Sequence, residues 1–366
     1  YASNNDIEKA EALLLKAIEV NPEDLNTYMV MARFMARQNK TQAAQSYFES
    51  ALKIEPDNLN LKTTYADFHL ANKEILKAEA LVNEILSARP DFLPSKVLQG
   101  RIFAAKKEYE KSIDLFRSLL KDDPESETLN FLLGSALFEK NDFDQAKPVL
   151  SKALEKNPDL QQARLILAEI QYREGDFDLA EDNVSKILVK YPDHYNANIV
   201  FGNISMVKGD LEGAKALFTR LIQQEPENPA AYFRMGLLNR AEKNQEAALN
   251  HFNKALAINP NLMDVFSNII AVHVSEKQYE TAIARCDSHL EKIKASPVAA
   301  SIVLNLKGNL FVETGRLDQG KPEHPKEMAG FRQGTKIRSQ AKACRLPCQG
   351  RSRLAGRSEG IVHGRG

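Results

Sequence analysis

The stretch ALKIEPDN, residues 51–58, decides the fold, because it combines the end of a helix with a proline and the start of the next helix. Proline lacks a backbone N–H and disfavours helical geometry in the residue before it, so the first helix stops there. Variants of this stretch recur as ALEKNPDL (153–160), LIQQEPEN (221–228) and ALAINPNL (255–262). Successive prolines are separated by 34 residues, at positions 22, 56, 90, 124, 158, 192, 226 and 260. This fixed period predicts an array of repeated helical units.

Within this period, counted from position 1 at Leu25, several positions keep one chemical character. Positions 8 and 20 are almost always Gly, Ala or Ser, which lets two helices approach closely. Position 24 is mostly bulky and apolar, and positions 4, 7 and 11 form an apolar stripe at helical spacing. Position 15 is Asn or Gly in five of nine units, as in Asn39 and Gly175, and these residue types tolerate the left-handed backbone that ends a helix. Each unit is therefore predicted to be a pair of helices.

Residues 1–319 resemble a tetratricopeptide repeat (TPR) protein. The resemblance rests on the 34-residue period, the small residues at positions 8 and 20 and the proline at the end of each unit. The resemblance implies an all-α, right-handed solenoid of helix–turn–helix hairpins. Residues 25–299 are predicted to hold eight repeats. Residues 1–24 supply only a second helix and residues 300–319 only the first helix of a ninth repeat, so we expect the chain to be a piece of a longer protein.

Residues 320–366 depart abruptly from the repeat pattern. This segment holds eight of the seventeen glycines and eleven Lys/Arg against three Asp/Glu, a net charge of +8. It lacks helical periodicity and is expected to be a disordered basic tail or an out-of-frame sequence. Because the whole chain is neutral, residues 1–319 carry −8, which argues against a nucleic-acid surface on the repeats.

The sequence predicts no enzyme. No Ser/His/Asp set, HExxH motif or GxSxG motif occurs, so no catalytic residue, cofactor or metal ligand is assigned. Cys344, Cys348 and His363 lack a credible fourth ligand for zinc. Three cysteines are too few for a disulfide framework, and no apolar run is long enough for a transmembrane helix. These features fit a cytoplasmic location and also a bacterial periplasmic or envelope-associated one.

Function is expected on the surface formed by the first helices, which in this family usually holds a peptide or a partner protein. Positions 2, 5, 9, 12 and 13 are predicted to point into it, and they form an apolar strip with arginines at its edge. An alternative is that these positions, position 5 above all and position 12 to a lesser extent, pack under the neighbouring repeats. The predicted groove residues are Met29, Arg33, Val97, Arg101, Phe131, Phe138, Leu165, Tyr172, Ile199, Met206, Phe233 and Arg240.

Such a strip suits a peptide with acidic flanks. The chaperone-binding carboxylate clamp of the family is not expected, because Asn203 stands at position 9 but Ile199 replaces the required lysine. We therefore predict a non-catalytic scaffold that binds proteins. Two alternatives are the substrate-recruiting arm of a larger enzyme, for example a glycosyltransferase, and an accessory TPR protein of bacterial envelope, exopolysaccharide or protein-sorting systems.

Overall fold

The computed structural model describes residues 4–293 and 295–316, and every regular element among them is an α-helix. The predicted tail, 320–366, lies outside the described residues. The helices of the first half are α1 (Asn4–Val20), α2 (Leu25–Arg37), α3 (Thr41–Ile54), α4 (Leu59–Ala71), α5 (Ile75–Ala88), α6 (Leu93–Ala105), α7 (Tyr109–Leu119), α8 (Glu127–Glu139) and α9 (Phe143–Lys156). Those of the second half are α10 (Gln161–Glu174), α11 (Phe177–Lys190), α12 (Tyr195–Lys208), α13 (Leu211–Gln224), α14 (Pro229–Ala241), α15 (Gln245–Ile258), α16 (Met263–Ser275), α17 (Tyr279–Lys292) and α18 (Pro297–Glu313).

The helices form two compact units, divided between Ile204 and Ser205. In the first unit α2–α3, α4–α5, α6–α7, α8–α9 and α10–α11 pack as hairpins, and in the second unit α14–α15 and α16–α17 do the same. First helices of neighbouring hairpins also touch, as in α4–α6, α6–α8 and α8–α10. The predicted all-α architecture of packed helix hairpins is thus confirmed within each unit.

The turn inside each hairpin depends on one residue with a left-handed backbone. Asn39, Asn141, Gly175, Gly209 and Gly315 all have positive φ, as their residue types predict. The same geometry occurs in the four turns where position 15 is lysine, at 73, 107, 243 and 277, with φ between 58° and 63°. The repeat therefore sets this conformation even where the side chain disfavours it.

Most second helices end two residues before the repeat proline, as α3 does at Ile54. Glu55 caps the end of α3 with an extended backbone (φ −130°, ψ 81°), and Pro56 follows. Two residues after that proline, the Asn58 side chain accepts a hydrogen bond from the Leu61 N–H and caps α4. The stretch quoted at the outset thus closes one helix and opens the next.

An acidic residue after the proline also binds the second helix of its own hairpin. Lys152 Nζ and Lys156 Nζ of α9 each lie 2.8 Å from a Glu125 carboxylate oxygen. Hydrogen bonds from Lys152 and Lys156 lower the pKa of Glu125 to about 2. This ion pairing adds to the attraction between the Glu125 carboxylate and the positive end of the α8 helix dipole.

The hairpin core is close-packed at positions 8 and 24. A Cβ atom built on Gly134 would lie 2.5 Å from Leu150 Cγ, and one on Gly236 would lie 2.4 Å from Phe252 Cε1. These distances are shorter than van der Waals contact, so glycine is required at both positions for the present helix separation. The close approach of the two helices of a hairpin explains the small residues of the sequence pattern.

One helix carries a proline in its interior. Pro148 is the sixth residue of α9 and cannot donate a hydrogen bond to the Asp144 carbonyl one turn earlier. Because an interior proline costs about 3 kcal/mol relative to alanine, we expect Pro148→Ala to raise the free energy of unfolding by about 1–3 kcal/mol. Urea denaturation followed by circular dichroism at 222 nm measures this change.

The matched control is Pro94→Ala, since Pro94 stands at the second position of α6, where a helix has no N–H partner to lose. That substitution is expected to change stability by no more than about 0.5 kcal/mol. If both substitutions change the free energy of unfolding equally, the missing hydrogen bond in α9 is not what makes Pro148 destabilising.

Candidate functional site

In the first unit, the first helices α2, α4, α6, α8 and α10 present one face away from the hairpin core. In α2 the side chains of Met31, Ala32 and Met35 are buried, whereas Arg33 and Arg37 are exposed. Positions 5, 9 and 13 are four residues apart and therefore lie along one face of the helix. We call the faces formed by positions 2, 5, 9, 12 and 13 of these five helices the first-helix surface.

Position 5 lies at the boundary between the core and this surface. Met29, Val97, Phe131 and Leu165 are half-buried, and each packs against an apolar cluster of the hairpins. Ile199 is only 8% exposed, so little of its side chain is open to a ligand. Packing under the neighbouring repeat therefore accounts for much of the apolar character at position 5. Only part of each of these side chains is open to a ligand.

Positions 12 and 13 form a contact between two neighbouring first helices. The Arg173 guanidinium of α10 lies over the Phe138 ring of α8, with 4.8 Å between Cζ and the ring centroid, and 5.6 Å from the centroid of Phe143. The Phe138 and Phe143 rings are themselves 5.9 Å apart. Glu169, one turn before Arg173, accepts a hydrogen bond from its guanidinium. A flat cation stacked on aromatic rings is thereby held in place.

Tyr172 belongs to the same region. It is half-buried and meets Phe177, the first residue of α11, edge to face with the ring centroids 5.6 Å apart. We call Phe138, Tyr172 and Arg173 the aromatic shelf. The sequence predicted Phe138 and Tyr172 as groove residues, but gave no signal that Phe143 and Phe177 contact this region from the second helices.

The arginines at the edge of the predicted strip differ in their partners. Arg101 Nη1 lies 2.7 Å from Asp67 Oδ1 on the preceding first helix, so its charge is compensated. Arg33 and Arg37 make no ion pair or hydrogen bond with any other residue that the structure describes. The first-helix surface therefore has a free cationic end at α2 and an internally paired centre.

The second unit contains the remaining predicted residues. Phe233 is half-buried, with its ring 6.0 Å from that of Phe252, and the Arg234 guanidinium lies 5.3 Å from the Phe233 centroid. Arg240 donates a hydrogen bond to Asn268 Oδ1, and Met206 is half-buried. An arginine above a phenylalanine thus occurs in this unit too, although both residues belong to the same helix.

The repeat pattern has counterparts among known families. Models described as tetratricopeptide repeat match residues 35–97 and 103–159 and, separately, residues 1–24. The matched residues therefore carry tetratricopeptide repeats. A further model, the TT21 fifth ARM repeats domain, matches residues 161–270. Within the part of the chain that the structure describes, no helix of this TPR protein is long and apolar enough to span a membrane.

Solved structures share the fold at low sequence identity. A chain of the APC/C hetero-tetramer Cut9–Hcn1 aligns with a TM-score of 0.59 and 16% identity, covering 83% of this chain and 60% of its own length. This TPR protein therefore spans less than two thirds of that chain. Human IFIT1, solved as a dimer with m7Gppp-AAAA, aligns with a TM-score of 0.57 and 15% identity over 94% of this chain and 85% of its own.

A tetratricopeptide repeat protein from Parabacteroides merdae aligns with a TM-score of 0.53 and 17% identity over 68% of this chain and 98% of its own. A search of curated proteins gave no significant match. At these identities the likeness concerns the fold alone, so a function has to be argued from the surface of this chain.

Proposed function

We propose that this TPR protein is a non-catalytic scaffold that holds a peptide segment of a partner protein on its first-helix surface. The observation that carries the proposal is the aromatic shelf, where Arg173 of α10 stacks on Phe138 of α8. Phenylalanine, tyrosine and arginine are the residue types that contribute most to recognition surfaces, because they bring large contact areas with few rotatable bonds. TPR proteins in general bind protein partners, which fits this surface.

The shelf is prepared for a ligand before binding. Contacts among the Phe138 ring, the Phe143 ring and the Arg173 guanidinium, together with the hydrogen bond from Arg173 to Glu169, fix the side chains that a peptide would meet. A partner therefore loses little affinity to the ordering of these groups. An aromatic or leucine side chain of the peptide would cover Phe138 and Tyr172, and its backbone carbonyls or carboxylates would lie beside the guanidinium.

Removing the shelf should weaken peptide binding. Peptides selected from a random 15-residue phage library on wild-type protein provide the probe, and fluorescence anisotropy of a labelled selected peptide gives its Kd. We expect Phe138→Ala combined with Tyr172→Ala to raise that Kd about tenfold or more, which corresponds to about 1.4 kcal/mol. Helical content by circular dichroism should be unchanged.

Tyr191→Ala is the matched control, because Tyr191 is an exposed tyrosine at the end of α11, outside the shelf. It should leave the Kd within a factor of two or so of wild type. If the double variant binds the selected peptides as tightly as wild type does, the shelf is not the binding site.

A further inference from the structure

Two arginines of α2 that have no ionic partner in the described part of the chain lie on the first-helix surface. Arg33 and Arg37 occupy positions 9 and 13, four residues apart, and both are exposed. On α4, the next first helix along the chain, the carboxylate at position 9, Asp67, is held by Arg101. It is therefore not left to compensate the charge at α2.

Among the described residues these two cations have no acidic partner, so they form a local pair of uncompensated positive charges on a body of net charge −8. Resting on the proposed function, we infer that Arg33 and Arg37 bind a pair of acidic side chains in the same peptide that the aromatic shelf anchors. An acidic peptide fits better than a nucleic acid, because Met29, the neighbouring residue on this face, is apolar and half-buried. Single-stranded nucleic acid would require aromatic rings for base stacking at this point.

The order of the first helices gives the spacing of the two contact points. From α2 to α8 there are three steps along the series of first helices, and α4–α6 and α6–α8 are in contact. A packed-helix separation of about 8–10 Å for each step gives roughly 24–30 Å. An extended peptide advances about 3.3 Å per residue. The acidic pair should therefore lie about 7–9 residues from the aromatic or leucine side chain that occupies the shelf.

Peptide selection in parallel on three proteins tests the inference. Wild type, the double variant Arg33→Gln with Arg37→Gln, and a charge-matched control with Lys16→Gln and Lys53→Gln are each screened against the same random 15-residue library. The control removes the same charge from exposed lysines on α1 and α3. Wild type and the control should enrich paired Asp or Glu at the stated distance from an apolar anchor, and the arginine variant should enrich the anchor alone.

Binding of one selected acidic peptide, measured by fluorescence anisotropy in 50 mM salt, should weaken about 3- to 10-fold in the arginine variant. The difference should shrink in 0.5 M salt, where charge interactions are screened. Acidic enrichment that persists in the arginine variant would overturn the inference and leave the shelf intact as a binding site. If no peptide is enriched on wild type, the proposed function and the inference both fail.

A labelled 20-nucleotide oligoadenylate RNA is titrated alongside the peptide. RNA binding by wild type that is lost in the arginine variant, without enrichment of acidic peptides, would assign the arginines to phosphate and overturn the inference. Absence of RNA binding together with acidic enrichment supports it.

Discussion

Phe252→Ala is expected to lower the free energy of unfolding of the second unit by about 3–5 kcal/mol, the usual cost of truncating a buried phenylalanine. Phe252 stands at position 24 of its repeat and is fully buried. Its ring packs against Phe233 of α14 and fills the space left by the absent side chain of Gly236. Alanine would leave a cavity that two rigid helices cannot close.

The measurement is urea denaturation of wild type and variant, followed by circular dichroism at 222 nm. Because each repeat contacts only its neighbours, a weakened repeat should also broaden the transition, as the array unfolds less cooperatively. Val312→Ala is the control: Val312 is an apolar residue of α18 that is 61% exposed, and its truncation should cost less than about 0.5 kcal/mol. Similar costs for the two variants would show that Phe252 is not part of a close-packed core.

The period of the sequence was enough to predict the hairpins, because proline and small residues act locally on the backbone. Pro56 ends α3 through its own geometry, and Gly134 allows close packing through the absence of a side chain. The turns at Lys73 and Lys243 gave no such signal, since lysine does not favour positive φ and is held there by the packed helices on either side. These two turns could be placed only from their position in the 34-residue repeat.

The candidate site was less predictable, because it depends on contacts between residues far apart in sequence. Residue type indicated Phe138 and Tyr172, but the stacking of Arg173 on Phe138 requires the approach of α8 to α10. Equally, the sequence showed arginines along the strip without showing that Asp67 compensates Arg101 while Arg33 has no partner within 4–293 and 295–316. Pairing of charges follows from distances, and these appear only in the folded chain.

Gly236→Val should destabilise the second unit by about 2–3 kcal/mol, although glycine itself is a poor helix former. An added Cβ would lie 2.4 Å from Phe252 Cε1 and 2.5 Å from Cδ1, so α14 and α15 have to separate or the ring has to leave its rotamer. Overpacking of this kind costs about 1–3 kcal/mol, and the branched side chain of valine adds to the crowding. The gain in helix propensity, several tenths of a kcal/mol, offsets only part of this.

A double-mutant cycle identifies the cause. If Gly236→Val acts through the Phe252 ring, the second substitution should be much less harmful once the ring has been removed, because valine then fills part of the cavity left by Phe252→Ala. The combined variant should be more stable than the sum of the two single effects predicts, by about 1–3 kcal/mol. Additive effects would mean that the valine collides with something other than Phe252, and that positions 8 and 24 of the repeat do not determine each other's size.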